Sequence, residues 1–140
     1  MFNPTRDQVR EFFFGVRAKS AAGAALTPLE AIALSIVLEH PEYHAILDDP
    51  ERYRERTWTP EGGETNPFLH LQMHLAIEEQ ISIDQPQGIR AAVGDLARRH
   101  DSEHAARHDV MDCLAEMIWQ AQRNGTGFDN AAYIDCIAAR

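Results

Sequence analysis

Each of the seven histidines in this 140-residue chain has another histidine four positions away. The pairs are His40 with His44 and His70 with His74, followed by the ladder His100, His104 and His108. A step of four residues stacks side chains on one face of an α-helix. Two imidazoles placed this way can grip one metal ion, as the helical H-E-x-x-H zinc motif illustrates. The spacing constrains the chain to a helical protein with a histidine-lined site, and leaves the use of that site open.

The rest of the chain agrees, because strand signals are nearly absent and helix starts are well marked. Asn3-Pro4 or Thr5 can open a first helix with Val9, Phe12, Phe13 and Val16 as its buried stripe, ended near Gly23. In the TPLE segment, Thr27 is an N-cap, Pro28 takes the first helical position and Glu30 closes a capping box. The helix that follows is apolar on almost every side, which marks it as central. Pro41 must end or kink it directly after His40. A short helix with Tyr43 and His44 follows, then a charged stretch, then a Gly- and Pro-rich loop from Thr57 to Pro67. Further helices are expected over NPFLHLQMHLAIEEQISID, over QPQGIRAAVGDLARRH, from about Asp101 to Arg123, and after Asp129. The expected fold is all-α, one domain over residues 1–140, a bundle of six or seven helices.

On the helix after Asn66, a step of about 100° per residue puts Gln72, Glu79 and Gln80 on one side, the expected solvent face. His70, His74, Ile77 and Ile81 fall opposite, with Glu78 at the edge of that stripe. Two histidines therefore sit in the middle of a face that should be buried. A buried imidazole must have partners, since leaving a buried polar group without one costs about 1–3 kcal/mol. Hydrogen bonds within the core would satisfy them, and so would a metal. His40 shares a core face with Leu29, Ala33 and Ile36, and His44 follows one turn on, across the proline. His104 and His108 border the apolar face of a later helix, with Asp112 and Glu116 continuing their stripe. His100 closes the helix before it, where a cation suits the helix dipole.

These residues form an inventory for a transition-metal site: His40, His44, His70, His74, His104 and His108, with Glu78 and Glu116 adding oxygen ligands or supporting bonds. It is enough for two metal ions and too many for one tetrahedral zinc. Bundles build such centres from side chains on facing helices. In ligand type the set resembles the oxygen-binding hemerythrin-like bundles, but it differs from them in spacing and chain order. The paired Glu-x-x-His motifs of ferritin-like di-iron proteins are missing. Iron or zinc is the expected metal, with copper and nickel open to nitrogen-rich ligation. His100-Asp101 and His108-Asp109 are also compatible with a metal-dependent HD phosphohydrolase, a weaker reading because any histidine-rich acidic chain supplies such dipeptides. If the protein is an enzyme, a metal-dependent oxidoreductase is expected ahead of a hydrolase. The competing expectation is a metal-free interaction or regulatory module whose buried histidines are structural or sense pH.

Composition trims the alternatives. With 22 acidic against 13 basic residues the net charge is −9, which repels phosphate backbones and excludes nucleic acid as an expected partner. No apolar run approaches the roughly 20 residues of a membrane span. The start MFNPTRDQVREFFF has charges threaded through it and does not read as a signal peptide. Cys113 and Cys136 sit in apparently helical segments, so two reduced thiols and a cytoplasmic protein are expected. A homo-oligomer is left open.

Three stretches carry a family resemblance: LTPLEAIAL…LEHPEYH, TNPFLHLQMHLAIEEQISIDQPQGIR and HAARHDVMDCLAEMIWQAQR. Together they resemble the bacterial family catalogued as domain of unknown function 1841, over nearly the whole chain. The resemblance implies no activity. It places His40, His44, His70, His74, His104 and His108 inside matching motifs, with His100 outside them.

Overall fold

The computed structural model describes residues 5–59 and 65–140. Asn3, Pro4 and the middle of the Gly- and Pro-rich loop lie outside the described residues. Among those described, the fold is all-α, with eight α-helices, one 3-10 turn and no strand. The chain packs as two compact units, residues 1–75 and 76–140. The helix beyond those expected is Pro50–Tyr53, four residues formed in the charged stretch after His44.

The first unit begins with α1 (Arg6–Ala22), which Thr5 opens with a capping box completed by Gln8. Gly23 closes it in the left-handed region at φ 69°, where a side chain would be strained. Helix α2 (Pro28–Leu38) starts on the expected Thr27–Glu30 box. Pro41 then starts a 3-10 turn (Pro41–Tyr43), followed by α3 (His44–Leu47) and α4 (Pro50–Tyr53). The first half of α5 (Pro67–Ile83) completes the unit. Val9, Phe13 and Val16 are buried as expected, whereas Phe12 is only half-buried and Phe14 takes a core place, edge-on to Phe68 at 5.3 Å. Burying each such aromatic contributes about 1.5–3 kcal/mol.

Arg10 lies among these apolar residues and is 2 % exposed. Its Nη1 donates to the carbonyl oxygens of Arg54 and Arg56, both at 2.8 Å, and its guanidinium lies 5.0 Å from the Phe68 ring. It thereby fastens the chain leaving α4 to α1. Nothing in the sequence reading singled Arg10 out. A signal existed, because Arg10 stands three and four positions before Phe13 and Phe14, on the face that must be buried.

The second unit holds the rest of α5, then α6 (Ile89–His100), α7 (Glu103–Asn124) and α8 (Asn130–Ala139). Asp84 ends α5 with φ 51°, and its Oδ1 accepts from the backbone N–H of Gly88 and Arg90 at 3.2 and 3.0 Å. Those two bonds hold its carboxyl below the usual carboxylate range. Tyr133 of α8 is fully buried and donates to Gln80 Oε1 at 2.8 Å, so Gln80 is not the plain solvent residue expected of it. Burial pushes the Tyr133 phenol pKa upward.

The expectation of two reduced thiols is corrected. Cys113 of α7 and Cys136 of α8 form a disulfide, with their Cα atoms 5.9 Å apart. Gly125, at φ 63°, ends α7 and lets α8 return against it, which brings together two sulfurs 23 positions apart. The argument from cysteine usage for a cytoplasmic protein loses its basis with that bond. No helix among the described residues is long and apolar enough to cross a membrane.

Candidate metal centre

The HPEYH segment builds the first wall of the site. Pro41 stops α2 from continuing, which leaves its last carbonyls in need of donors. Two imidazoles supply them. His40 Nδ1 bonds Ile36 O at 2.8 Å, and His44 Nε2 bonds Val37 O at 2.8 Å. A carbonyl only accepts, so each of these nitrogens carries the proton, an assignment made from the hydrogen-bond partner. His40 in neutral form thus turns the lone pair of Nε2 outward from the helix end. Fixing one ring nitrogen on a backbone carbonyl so that the other can ligate is how metal-binding histidines are oriented.

Helix α5 builds the second wall. Asn66 Oδ1 takes the backbone N–H of Phe68 and Leu69, at 3.0 and 3.3 Å, and so fixes where α5 begins. His70 and His74 then fall on one face, one turn apart. The three rings of His40, His70 and His74 form a nearly equilateral triangle, with centroid separations of 5.0, 4.7 and 4.9 Å. His40 and His74 are buried, 2 % and 3 % exposed, and His70 is half-buried. One ligand atom from each of the three lies within 4.8 Å of the others, so the group could hold a metal ion.

The closest approach is between His40 Nε2 and His70 Nε2, 3.2 Å apart. Two nitrogens bound to one tetrahedral zinc at about 2.0–2.1 Å stand roughly 3.3 Å apart, the edge of that tetrahedron. The observed gap matches this edge. It also matches a long N–H···N hydrogen bond. Tyr43 flanks the triangle, its ring stacked on His40 at 5.7 Å and edge-on to His70 at 5.8 Å. Burial, with a smaller effect from Glu42, raises the Tyr43 pKa. Sequence reading noted Tyr43 only as part of a short helix, although its place three residues after His40 was a usable signal.

The other expected ligands have different surroundings. His44 is not drawn into the triangle, because its Nε2 is committed to Val37 O. Glu78 accepts from Arg107 Nε at 2.6 Å, a charge-assisted bond within the second unit. Glu116 is exposed and accepts from Gln120 at 2.9 Å. His104 and His108 face each other on α7 with centroids 4.4 Å apart, His104 exposed and His108 half-buried. His108 Nδ1 bonds His104 O at 3.0 Å, which leaves Nε2 as its lone-pair nitrogen. His100 ends α6 as expected, with Nε2 3.5 Å from Asp109 Oδ2.

Fold and site together define an all-α protein with a buried cluster of imidazoles and no carboxylate in that cluster among the described residues. Residues 5–139 match the family described as Domain of unknown function (DUF1841), and the chain belongs to that family. No curated protein and no solved structure matches the chain.

Proposed function

We propose that this protein binds a transition-metal ion through His40, His70 and His74. The observation that carries the reading is the 3.2 Å approach of His40 Nε2 to His70 Nε2, with Nδ1 of His40 already anchored on Ile36 O. Three imidazoles leave a tetrahedral ion one position open, as catalytic zinc sites do. A donor set made of neutral nitrogens suits iron, zinc, copper or nickel and suits calcium or magnesium poorly. The proposed use is redox chemistry at the ion ahead of hydrolysis. Glu78, one turn beyond His74, is held by Arg107 and is a poor general base.

The test is elemental analysis of protein purified without a nickel column, followed by titration of the metal-stripped protein with Co(II). The expected result is about one ion per chain and the visible absorption of nitrogen-ligated tetrahedral cobalt. Folded protein that takes up neither Co(II) nor Zn(II) at micromolar concentration overturns the proposal.

The same 3.2 Å separation favours one other reading, in which His70 Nε2–H donates to His40 Nε2 and the cluster works without metal. Acid would then break a buried hydrogen bond by protonating the acceptor, and the first unit would respond to pH. That reading expects a folded, metal-free preparation whose His70 ring N–H is protected from solvent exchange by NMR.

A further inference from the structure

A second site lies in the first unit, on residues the histidine cluster does not use. A cavity of about 300 Å³ opens between α1 and the start of α5. Arg6, Arg10 and Gln72 supply its polar wall, and Val9, Phe68 and Leu69 its apolar wall. In a chain of net charge −9, two guanidiniums on one cavity are an unusual concentration of positive charge. No carboxylate lines the cavity among the described residues.

Arg10 shows why the charge matters. Its Nη1 is satisfied by backbone carbonyls, but its Nε is buried and has no hydrogen-bond partner. Burial works against the charge of Arg10 and the nearby Arg6 adds to that, with Glu55 and Asp7 offsetting part. Arg6 is exposed at the rim, and its Nη2 donates to Glu55 O over a long 3.4 Å. The amides that open α5 are already taken by Asn66, so the positive potential comes mainly from the two arginines. An anion entering this cavity would gain a charge-assisted contact with Arg6 and relieve the repulsion between the two guanidiniums.

We propose that this cavity binds a small organic carboxylate, its head toward Arg6 and Arg10 and its apolar body against Val9, Phe68 and Leu69. Guanidiniums match a carboxylate geometrically, and the apolar wall selects a ligand that is more than a bare ion.

Trp58 reports on the site, because its ring lies 5.2 Å from the Arg10 guanidinium and 5.8 Å from Phe68. The experiment uses the full chain carrying Trp119→Phe, which removes the second tryptophan, 51 % exposed on α7. Benzoate, benzamide and inorganic phosphate are titrated separately while Trp58 emission is followed. The expected result is saturable binding of benzoate, with benzamide and phosphate at least about tenfold weaker. Arg6→Gln should weaken benzoate by about tenfold while leaving the thermal midpoint unchanged. Arg10→Met is not needed for the test, since its carbonyl bonds make it structural. No saturable change with benzoate, equal binding of benzamide or of phosphate, or an Arg6→Gln variant that binds as tightly would each overturn the proposal.

Discussion

The α5 pair, His70 and His74, and the α7 pair, His104 and His108, have the same spacing in sequence and different fates in the fold. On α5 the two rings meet a third imidazole from outside the helix, and His74 is buried. On α7 the rings meet each other, His104 is exposed, and His108 turns one nitrogen back onto its own helix. A four-residue step guarantees a shared face and nothing more. What makes a face into a site is a second element supplying another donor, and Pro41 does that by ending α2 where His40 can turn inward.

The strongest way to break the comparison is to remove an α5 imidazole. Structural zinc sites bind with about 10–16 kcal/mol, so one of four ligands carries roughly 3–4 kcal/mol, or about 100- to 1,000-fold in affinity. His70→Ala and His74→Ala should each lose about that much, read by competition with a chelator of known affinity. Affinity should also drop with pH wherever free imidazole takes up a proton, near pH 6.5 and below. A His70→Ala protein that binds as tightly as the natural one would leave the α5 pair no more functional than the α7 pair.

The next effect separates what holds each unit together. The Cys113–Cys136 bond closes a loop of 23 positions, for which chain entropy predicts roughly 3 kcal/mol. Cys136→Ser should lower unfolding free energy by about that amount in urea, with metal affinity changed less than about twofold. A parallel collapse of metal affinity would show that the two effects are not separate.

A smaller effect comes from Asp84, whose Oδ1 holds two backbone N–H groups where α5 turns into α6. Its carboxyl pKa is depressed in the folded protein, so the charge contributes stability above the unfolded value of about 3.9. That contribution disappears as pH falls through the lower folded value. Asp84→Asn should therefore lower the urea midpoint at pH 7 and match the natural protein in strong acid. A deficit that persists unchanged at low pH would assign the effect to the changed hydrogen bonding instead of the charge.

Local signals carried much of this fold and half of the site. The Thr27–Glu30 box, Pro28, Gly23 and Asp129 each act over a few residues, and each marks a helix end in the structure. The buried face of His70 and His74 was legible for the same reason. Contacts set by tertiary packing were not. His44 shares its motif with His40, yet the Val37 carbonyl captures it, because α2 stops at Leu38 and leaves that oxygen to be satisfied. Glu78 looked available until Arg107, 29 positions away, took it. The disulfide depends on α8 returning against α7, which no pattern within either helix records. Arg10 was read past because an arginine in an apolar stripe looks like an interruption, while its three-dimensional partners are carbonyls more than 40 positions away.

The weakest expected effect discriminates most finely. His104 and Glu116 entered the inventory because they share a helix stripe with His108, and both are exposed. Glu116 already bonds Gln120. An exposed imidazole keeps its hydration, so bringing it to a metal gains little over the water it would replace. His104→Ala and Glu116→Gln should each change metal affinity by less than about twofold, within the scatter of surface substitutions. His104 does lend its carbonyl to His108 Nδ1, but that oxygen belongs to the backbone and survives the substitution. If His104→Ala weakens binding as much as His70→Ala, the two pairs act alike and exposure has misjudged the second.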